Sequence, residues 1–349
     1  MHGGDSADNE KVSWRNLSSV AGIVDRHCRV AEGRGSSRKG RAPGASRPCE
    51  VRLSLLRGHI VAGQVVMMDA KVVCETLPYS EFALERALEG IAGAGYEYVA
   101  LGRTHEKVDV LPTDASDRDA EAVAGKVADA GLKTCVIFAA TGDFSRPDAV
   151  ATYRRGLEFA GIMGVPQMLS WGPWEYKEWP GEKWADDEWH KISESWFDGM
   201  MQVVPYAEQL GIEIVLKPHT GVTAYGERLR YAVERIGSEA VRVCYDGGNV
   251  HFYEGYDPAE DIKDCAEYVT AFCIKDHSGA RANPLFPPPG EGDVDDAAML
   301  RVVNEYGFDG PLMVERFEGD WAKADMPIEL IDERARVARL YLERTLAGI

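Results

Sequence analysis

The sequence contains no run of 18 apolar residues, whereas a helix needs about 20 such residues to cross a bilayer. It contains no Cys-x-x-Cys pair among its seven scattered cysteines, which argues against a zinc ribbon or a disulfide framework. Basic residues are also few, with 39 Lys+Arg against 57 Asp+Glu, which gives a net charge of -18. So acidic a surface repels nucleic acids and anionic membranes. We therefore expect a cytoplasmic protein with neither kind of partner, and free cysteines suit that reducing compartment.

The first part of the chain differs in composition from the remainder. Residues 1–50 are rich in Gly, Ser, Arg and Pro and show no apolar periodicity. Such a segment cannot bury enough apolar surface to offset its conformational entropy. We therefore expect residues 1–68 to form a disordered or poorly ordered leader, with the folded domain over residues 69–349.

From Lys71 onward, short apolar runs alternate with amphipathic stretches of helical period. We count eight such β/α units, and glycines such as Gly164 and Gly211 mark the expected helix ends. This count and length predict a protein of the α/β class, a (β/α)8 TIM barrel. A doubly wound open sheet is the alternative, but it would normally carry a glycine-rich turn after the first strand, where Leu77–Ser80 stands instead.

Polar residues follow the predicted strands at the end where barrels place their active sites. The stretch VRVCYDGGN delivers Asp246 after a buried strand, although an Asp before Gly also commonly caps a turn. The other candidates at strand ends are Lys217, His219, Lys275, His277, Glu315 and Arg316. Buried charges of this kind must be paired or metal-bound, because an isolated one is too costly.

Six of the eight tryptophans lie between Trp171 and Trp196. Trp171 and Trp174 fall in the loop after the fourth predicted strand, where aromatic rings could stack on the C–H face of a sugar. The same residues could instead form an interface in a homo-oligomer. The sequence favours neither interpretation.

Four motifs give this chain a specific resemblance. From about Lys71 it resembles the sugar phosphate isomerase/epimerase family of xylose isomerase-like TIM barrels, through YDGGN (245–249), CIKD (273–276), GEGDVD (290–295) and GPLMVE (310–315). The resemblance implies one divalent metal, usually Mn, held by Glu, Asp, His and Glu at four strand ends. Asp246 and Glu315 match two of these positions, but Lys217 replaces the first Glu and Cys273 the His.

Two interpretations of the site follow. A shifted metal site would use His219, Asp246, His277 and Glu315, a donor set that suits Mn, Fe or Zn. Alternatively, the Lys217 ammonium takes the place of the metal and pairs with Asp246 and Glu315. We favour the metal site, because four donors converge at strand ends.

The resemblance implies an isomerase, epimerase or related dehydratase (lyase) that removes a proton next to the carbonyl of a keto sugar or cyclitol. Glu315 would be the base, Lys217 or His219 the partner acid or base, and Trp171, Trp174, Lys275 and Arg316 would bind the substrate. A non-catalytic sugar-binding barrel with a Lys217 ion-pair network is the alternative. A DNA-repair endonuclease is disfavoured, since the chain has no basic face.

Overall fold

Eight parallel strands close into a barrel in the computed structural model, which describes residues 68–138, 143–320 and 326–349. Each strand pairs with the next along the chain, and β8 pairs back with β1, placing Leu312 beside Val72. The strands are β1 Lys71–Glu75, β2 Tyr98–Leu101, β3 Lys133–Phe138, β4 Gln167–Ser170, β5 Glu213–Leu216, β6 Val241–Tyr245, β7 Val269–Ile274 and β8 Pro311–Val314. The predicted (β/α)8 barrel is confirmed, and the open sheet is wrong.

Helices follow the strands and pack on the outside of the barrel. Their bounds are α1 Leu84–Gly93, α2 Asp117–Asp129, α3 Ala149–Met163, α4 Asp186–Leu210, α5 Gly226–Ile236, α6 Pro258–Asp261, α7 Asp296–Asn304 and α8 Ile328–Leu346. The apolar pattern of residues 258–268 predicts one continuous helix, but in the structure α6 is followed by two 3-10 turns, Ile262–Asp264 and Ala266–Tyr268. Cys265, at φ -134°, separates the two turns. None of the helices among the described residues is long and apolar enough to cross a membrane.

Among the described residues, three short antiparallel ribbons lie in the loops that follow the carboxyl ends of the strands. They pair Thr104–His105 with Val108–Asp109, Tyr176–Glu178 with Glu182–Lys183, and Leu285–Phe286 with Gly319–Asp320. The last ribbon joins the loop after β7 to the loop after β8. The predicted leader over residues 1–68 lies outside the described residues, apart from Met68.

The apolar side chains form two cores. The larger one lies between the strands and the surrounding helices. The smaller one fills the barrel interior, and each strand contributes at least one residue to it: Val73, Ala100, Cys135, Val136, Leu169, Val215, Cys244, Ala271, Cys273 and Met313. The interior is therefore packed and apolar, and polar chemistry is confined to its ends.

Candidate active site

A layer of charged side chains lies one step above the apolar interior, at the carboxyl ends of the strands. Alternate residues of a strand point to the same face. Because Val215 and Met313 belong to the barrel interior, Lys217 and Glu315 also point inward. The same spacing applies at the ends of β1, β6 and β7, so five ionisable side chains share the layer, each at most 4% exposed: Glu75, Lys217, Asp246, Lys275 and Glu315.

Four of these side chains form a closed ion-pair network. The Lys217 ammonium contacts Glu315 Oε2 and lies 3.1 Å from Asp246 Oδ2. The Lys275 ammonium lies 3.2 Å from Asp246 Oδ2 and 3.1 Å from Glu315 Oε1. Each ammonium thus bridges both carboxylates, and each carboxylate contacts both ammoniums. The positive and negative charges alternate around the mouth of the barrel.

The pairing keeps these groups charged despite their burial. Burial raises the pKa of Glu315, but the ammoniums of Lys217 and Lys275 outweigh it and hold that pKa well below its ordinary value. Burial also opposes the charge of Lys217, yet Cys273, Glu315 and Asp246 hold the lysine pKa well above its ordinary value. A buried ion-pair network seldom stabilises a fold better than apolar residues would. Its presence at the mouth therefore points to function.

Glu75 is a member of the layer that sequence reasoning missed. Burial raises the pKa of Glu75 well above its ordinary value, and the charge of Glu315 adds to this effect. Its Oε2 atom is buried without a hydrogen-bond partner. The available signal was an acid two residues after Val73 at the end of an apolar run, the pattern that identified Asp246.

Asp246 acts both as a cap and as a site residue. Its Oδ1 accepts a hydrogen bond of 2.8 Å from Asn249 N–H, which caps the helical turn Gly247–Asn249. Its Oδ2 faces the two ammoniums. Gly248 is required beside it, because a Cβ there would lie 2.2 Å from the carbonyl oxygen of Lys275. The turn thus packs directly against the backbone that carries Lys275.

An aromatic wall stands beside the network. The His219 ring lies 5.5 Å from Trp171, 6.3 Å from Trp174 and 5.8 Å from Tyr253. Trp179 extends the wall, with its ring 5.1 Å from Tyr253. Tyr253, which sequence reasoning did not select, lies in the π-helical turn Val250–Glu254. The structure brings these side chains together at the mouth.

His219 is neutral in this setting. Burial first, and then the ammoniums of Lys217 and Lys275, hold its pKa well below the ordinary value. Its Nδ1 atom is buried and has no hydrogen-bond partner. A neutral imidazole with a free ring nitrogen beside charged groups is suited to relaying a proton.

The ring nitrogens of His277, which was predicted to be a metal ligand, contact groups other than the carboxylates of the network. Its Nδ1 lies 2.9 Å from His251 Nδ1, and its Nε2 donates a 2.8 Å hydrogen bond to the carbonyl oxygen of Asn283. Both ring nitrogens are therefore in use. His277 follows β7 by three residues, and there the loop, not the strand alternation, sets its direction.

A metal ion does not fit the remaining donors as they stand. Among the described residues, Asp246, Cys273 and Glu315 have donor atoms within 4.8 Å of one another. Both carboxylates, however, already pair with two ammoniums. Burial raises the pKa of Cys273 well above its ordinary value, and its Sγ lies 3.6 Å from Cys244 Sγ. A thiol must lose its proton to bind a metal.

One buried carboxylate organises the loop over the mouth. Asp276 accepts hydrogen bonds from four backbone N–H groups, those of His277 (2.8 Å), Gly290 (2.9 Å), Gly292 (2.7 Å) and Val294 (3.1 Å). A Cβ on Gly292 would lie 2.3 Å from Asp276 Oδ1, so the loop requires glycine there. The sequence alone did not indicate this role.

Three further polar residues lie in the loops at this end of the barrel. Asp295 caps α7 by accepting a hydrogen bond from Ala298 N–H. The Asp293 carboxylate accepts a hydrogen bond of 2.7 Å from Gly279 N–H. Arg316, predicted to bind substrate, pairs with Glu318 at 2.9 Å and contributes a positive charge near Glu75 and Glu315.

Comparison with known proteins settles the family. The model of the xylose isomerase-like TIM barrel matches residues 88–339, which is well over half of the chain. The chain belongs to this family. The resemblance inferred from the four sequence motifs is thereby confirmed.

Curated relatives of this xylose isomerase-like barrel include two inosose dehydratases. That of Lacticaseibacillus casei is 28% identical over 181 residues, which is 46% of this chain and 56% of the relative. That of Serratia proteamaculans (strain 568) is 26% identical over 184 residues, covering 47% of this chain and 57% of the relative. The chain thus spans about half the length of the curated relatives it matches.

Solved structures with the same barrel include sugar epimerases. D-Psicose 3-epimerase from Clostridium cellulolyticum H10 superimposes with a TM-score of 0.62 at 14% identity, covering 79% of this chain and 99% of that one. L-Ribulose 3-epimerase gives a TM-score of 0.60 at 18% identity, with coverages of 80% and 95%. At these identities the likeness establishes the fold.

Proposed function

We propose that this chain is a sugar isomerase, epimerase or related dehydratase that moves a proton at the carbon next to a carbonyl. The observation that carries the proposal is the buried network in which an ionised Glu315 faces two ammoniums at the barrel mouth. Such a site combines a base with positive charge for a developing oxyanion. The names of the inosose dehydratases and 3-epimerases among its relatives agree with a keto sugar or cyclitol as substrate.

The reaction would begin at Glu315. Its carboxylate takes the proton from the carbon next to the carbonyl, and the electron pair of the broken C–H bond moves onto the carbonyl oxygen. The resulting enediolate faces the ammoniums of Lys217 and Lys275. Each ammonium has three N–H donors and contacts two carboxylates, so its remaining donor can bind a substrate oxygen while the ion pairs stay in place.

The fate of the enediolate defines the reaction type. Return of the proton to the other face of the same carbon gives an epimer, and its delivery to the neighbouring carbon gives an isomer. Loss of a hydroxyl group as water gives a dehydrated product. His219 and Glu75, whose pKa burial raises well above its ordinary value, are placed in the charged layer to supply the proton for any of these routes.

A divalent-metal enzyme is the second candidate, because the donor atoms of Asp246, Cys273 and Glu315 lie within 4.8 Å of one another. Manganese would be the metal implied by the family resemblance. This candidate requires both ammoniums to leave the carboxylates and the Cys273 thiol to ionise. The lysine-based site requires neither change.

Replacing Glu315 with glutamine should abolish proton exchange. Wild type incubated in deuterium oxide with D-fructose, D-tagatose, D-psicose, L-ribulose or an inosose should exchange the hydrogen next to the carbonyl of at least one compound. The exchange rate, measured by proton NMR, should fall about 10²–10⁴-fold in Glu315→Gln, which retains the shape but removes the base.

The matched control for this measurement is Glu213→Gln. Glu213 begins β5, at the opposite end of the barrel, and accepts a 2.8 Å hydrogen bond from Gln167. It should exchange substrate at the wild-type rate. A wild type that binds these sugars without exchanging any hydrogen would be a sugar-binding barrel, contrary to the proposal.

Trp174 should contribute to sugar binding through its ring, which is 39% exposed beside His219 and Tyr253. We expect D-fructose to quench tryptophan fluorescence in wild type, and Trp174→Ala to weaken binding by up to about tenfold, the value of one aromatic contact. Trp184→Phe in the same loop is the control, since that ring instead lies near Lys177. Unchanged affinity together with loss of a dimer in gel filtration would favour an interface instead.

A further inference from the structure

The charge balance of the site indicates that lysine side chains supply its positive charge. We infer that the ammonium groups of Lys217 and Lys275 replace the divalent metal ion of related barrels, so that this chain works without one. The inference rests on the proposed function for its catalytic meaning. Its structural part, the exclusion of a metal ion, is independent of that function.

The two lysines occupy the position of a bound cation. Each Nζ contacts a carboxylate oxygen of Asp246 and one of Glu315, at no more than 3.2 Å. A metal ion bound by the same carboxylates would need those oxygens. The Lys217 ammonium also extends from the strand end where the family resemblance places a carboxylate ligand, so a ligand has been exchanged for a charge of opposite sign.

The charges already cancel. The two ammoniums balance the carboxylates of Asp246 and Glu315, each of which contacts both lysines. A divalent ion entering this layer would lie beside two like charges in a site with almost no solvent exposure. Repulsion of this kind is strong where water is excluded. The ion could bind only if both lysines moved away.

Both lysines are held where they are. A Cβ on Gly248 would lie 2.2 Å from the Lys275 carbonyl oxygen, so the adjoining turn packs tightly on the backbone of that lysine. The Lys275 ammonium also lies 5.6 Å from the centre of the Phe286 ring. Lys217 directly follows β5 and is 2% exposed. The remaining position of the family's ligand set holds Cys273, a buried thiol that contacts Cys244.

A pair of ammoniums favours a particular class of substrate. Two separate cations, each with three N–H donors, can bind two adjacent oxygens, one on each lysine. An α-hydroxy ketone presents this arrangement, and both oxygens gain negative charge or stronger hydrogen bonds in the enediolate. We therefore assign α-hydroxy ketones, sugars or cyclitols, as the substrate class of the lysine pair.

Metal analysis and manganese titration of the wild-type protein test the inference. Purified protein should contain substoichiometric Mn, Fe, Co and Zn, and titration calorimetry with MnCl₂ should show no binding at millimolar metal. Hydrogen exchange of the responsive sugar in deuterium oxide should be unchanged after exhaustive treatment with EDTA. Stoichiometric Mn binding, or activity lost in EDTA and restored by Mn, would overturn the inference.

A reciprocal variant provides the positive control. Lys217→Glu combined with Cys273→His restores the ligand set implied by the resemblance and removes one ammonium, and it should bind Mn with a rise in Tm on Mn addition. Wild type should show no rise in Tm. If this variant does not fold, the wild-type calorimetry still decides the question. If wild type exchanges no sugar with or without metal, the proposed function fails, while the Mn titration still tests the lysine pair.

Discussion

Replacing Lys217 with methionine should lower the free energy of unfolding by about 3–5 kcal/mol, the usual cost of removing one partner from a buried ion pair. Methionine has a similar length but no charge, so Asp246 and Glu315 would keep a single shared ammonium, that of Lys275. Two carboxylates that are buried together, with little solvent to screen their charges, repel each other. Urea unfolding followed by circular dichroism measures the change.

Two further variants show whether burial causes this loss. Lys263 pairs with Glu260 on the surface, where the two side chains are 51% and 70% exposed, so Lys263→Met should change stability by less than about 1 kcal/mol. The double variant Lys217→Met with Glu315→Gln removes one charge of each sign and should recover much of the stability. Equal effects of Lys217→Met and Lys263→Met would show that the network is not buried.

Replacing Asp296 with asparagine should stabilise the protein in a pH-dependent manner. Asp296 is the first residue of α7 and is 2% exposed, and burial, followed by the charge of Asp276, raises its pKa to about 8. In the unfolded chain an aspartate has a pKa of about 3.9. Between these values the folded protein keeps a proton that the unfolded chain releases, so wild-type stability falls as pH rises.

The expected size follows from this proton linkage. Each pH unit in the window weakens the folded wild type by about 1.4 kcal/mol, whereas asparagine has no proton to lose. Asp296→Asn should therefore match wild type near pH 4 and exceed its stability by roughly 5 kcal/mol near pH 8, where the slope levels off. Urea unfolding at several pH values gives the difference. Asp296→Ala should show the same slope with a constant offset, and a difference independent of pH would contradict the linkage.

The strand-end charges could be predicted because they follow a backbone rule. Lys217, Asp246, Lys275 and Glu315 each stand two residues after an interior residue, and the two-residue period of a strand carries their direction past its end. Glu75 obeys the same rule and was missed because an acid at the end of β1 was not weighed as a site residue.

Residues in the loops could not be placed in this way. His277 lies far enough beyond β7 that its direction depends on His251 and on the carbonyl oxygen of Asn283, contacts that no local period encodes. The role of Asp276 likewise depends on backbone groups more than ten residues further along the chain. Loop geometry arises from such tertiary contacts.

The direction of the lysine ammoniums could not be predicted. The sequence shows that Lys217 and Cys273 stand where the family resemblance implies ligands, but not where the ammonium is directed. Lys275 was expected only to bind substrate, and its contact with both carboxylates depends on how the strands of the barrel are placed.

The hydrogen bonds to Asp276 hold both ends of the segment between Ser278 and Pro289, so this segment can be exchanged as one module. One carboxylate fixes both of its ends, through His277 on one side and Gly290, Gly292 and Val294 on the other. Lengthening such a closed loop costs little, about 0.6 kcal/mol for each doubling. The module carries Phe286, which lies against Lys275. A graft of this segment that retains Phe286 would therefore change the surface over the mouth and leave the charged layer beneath it unchanged.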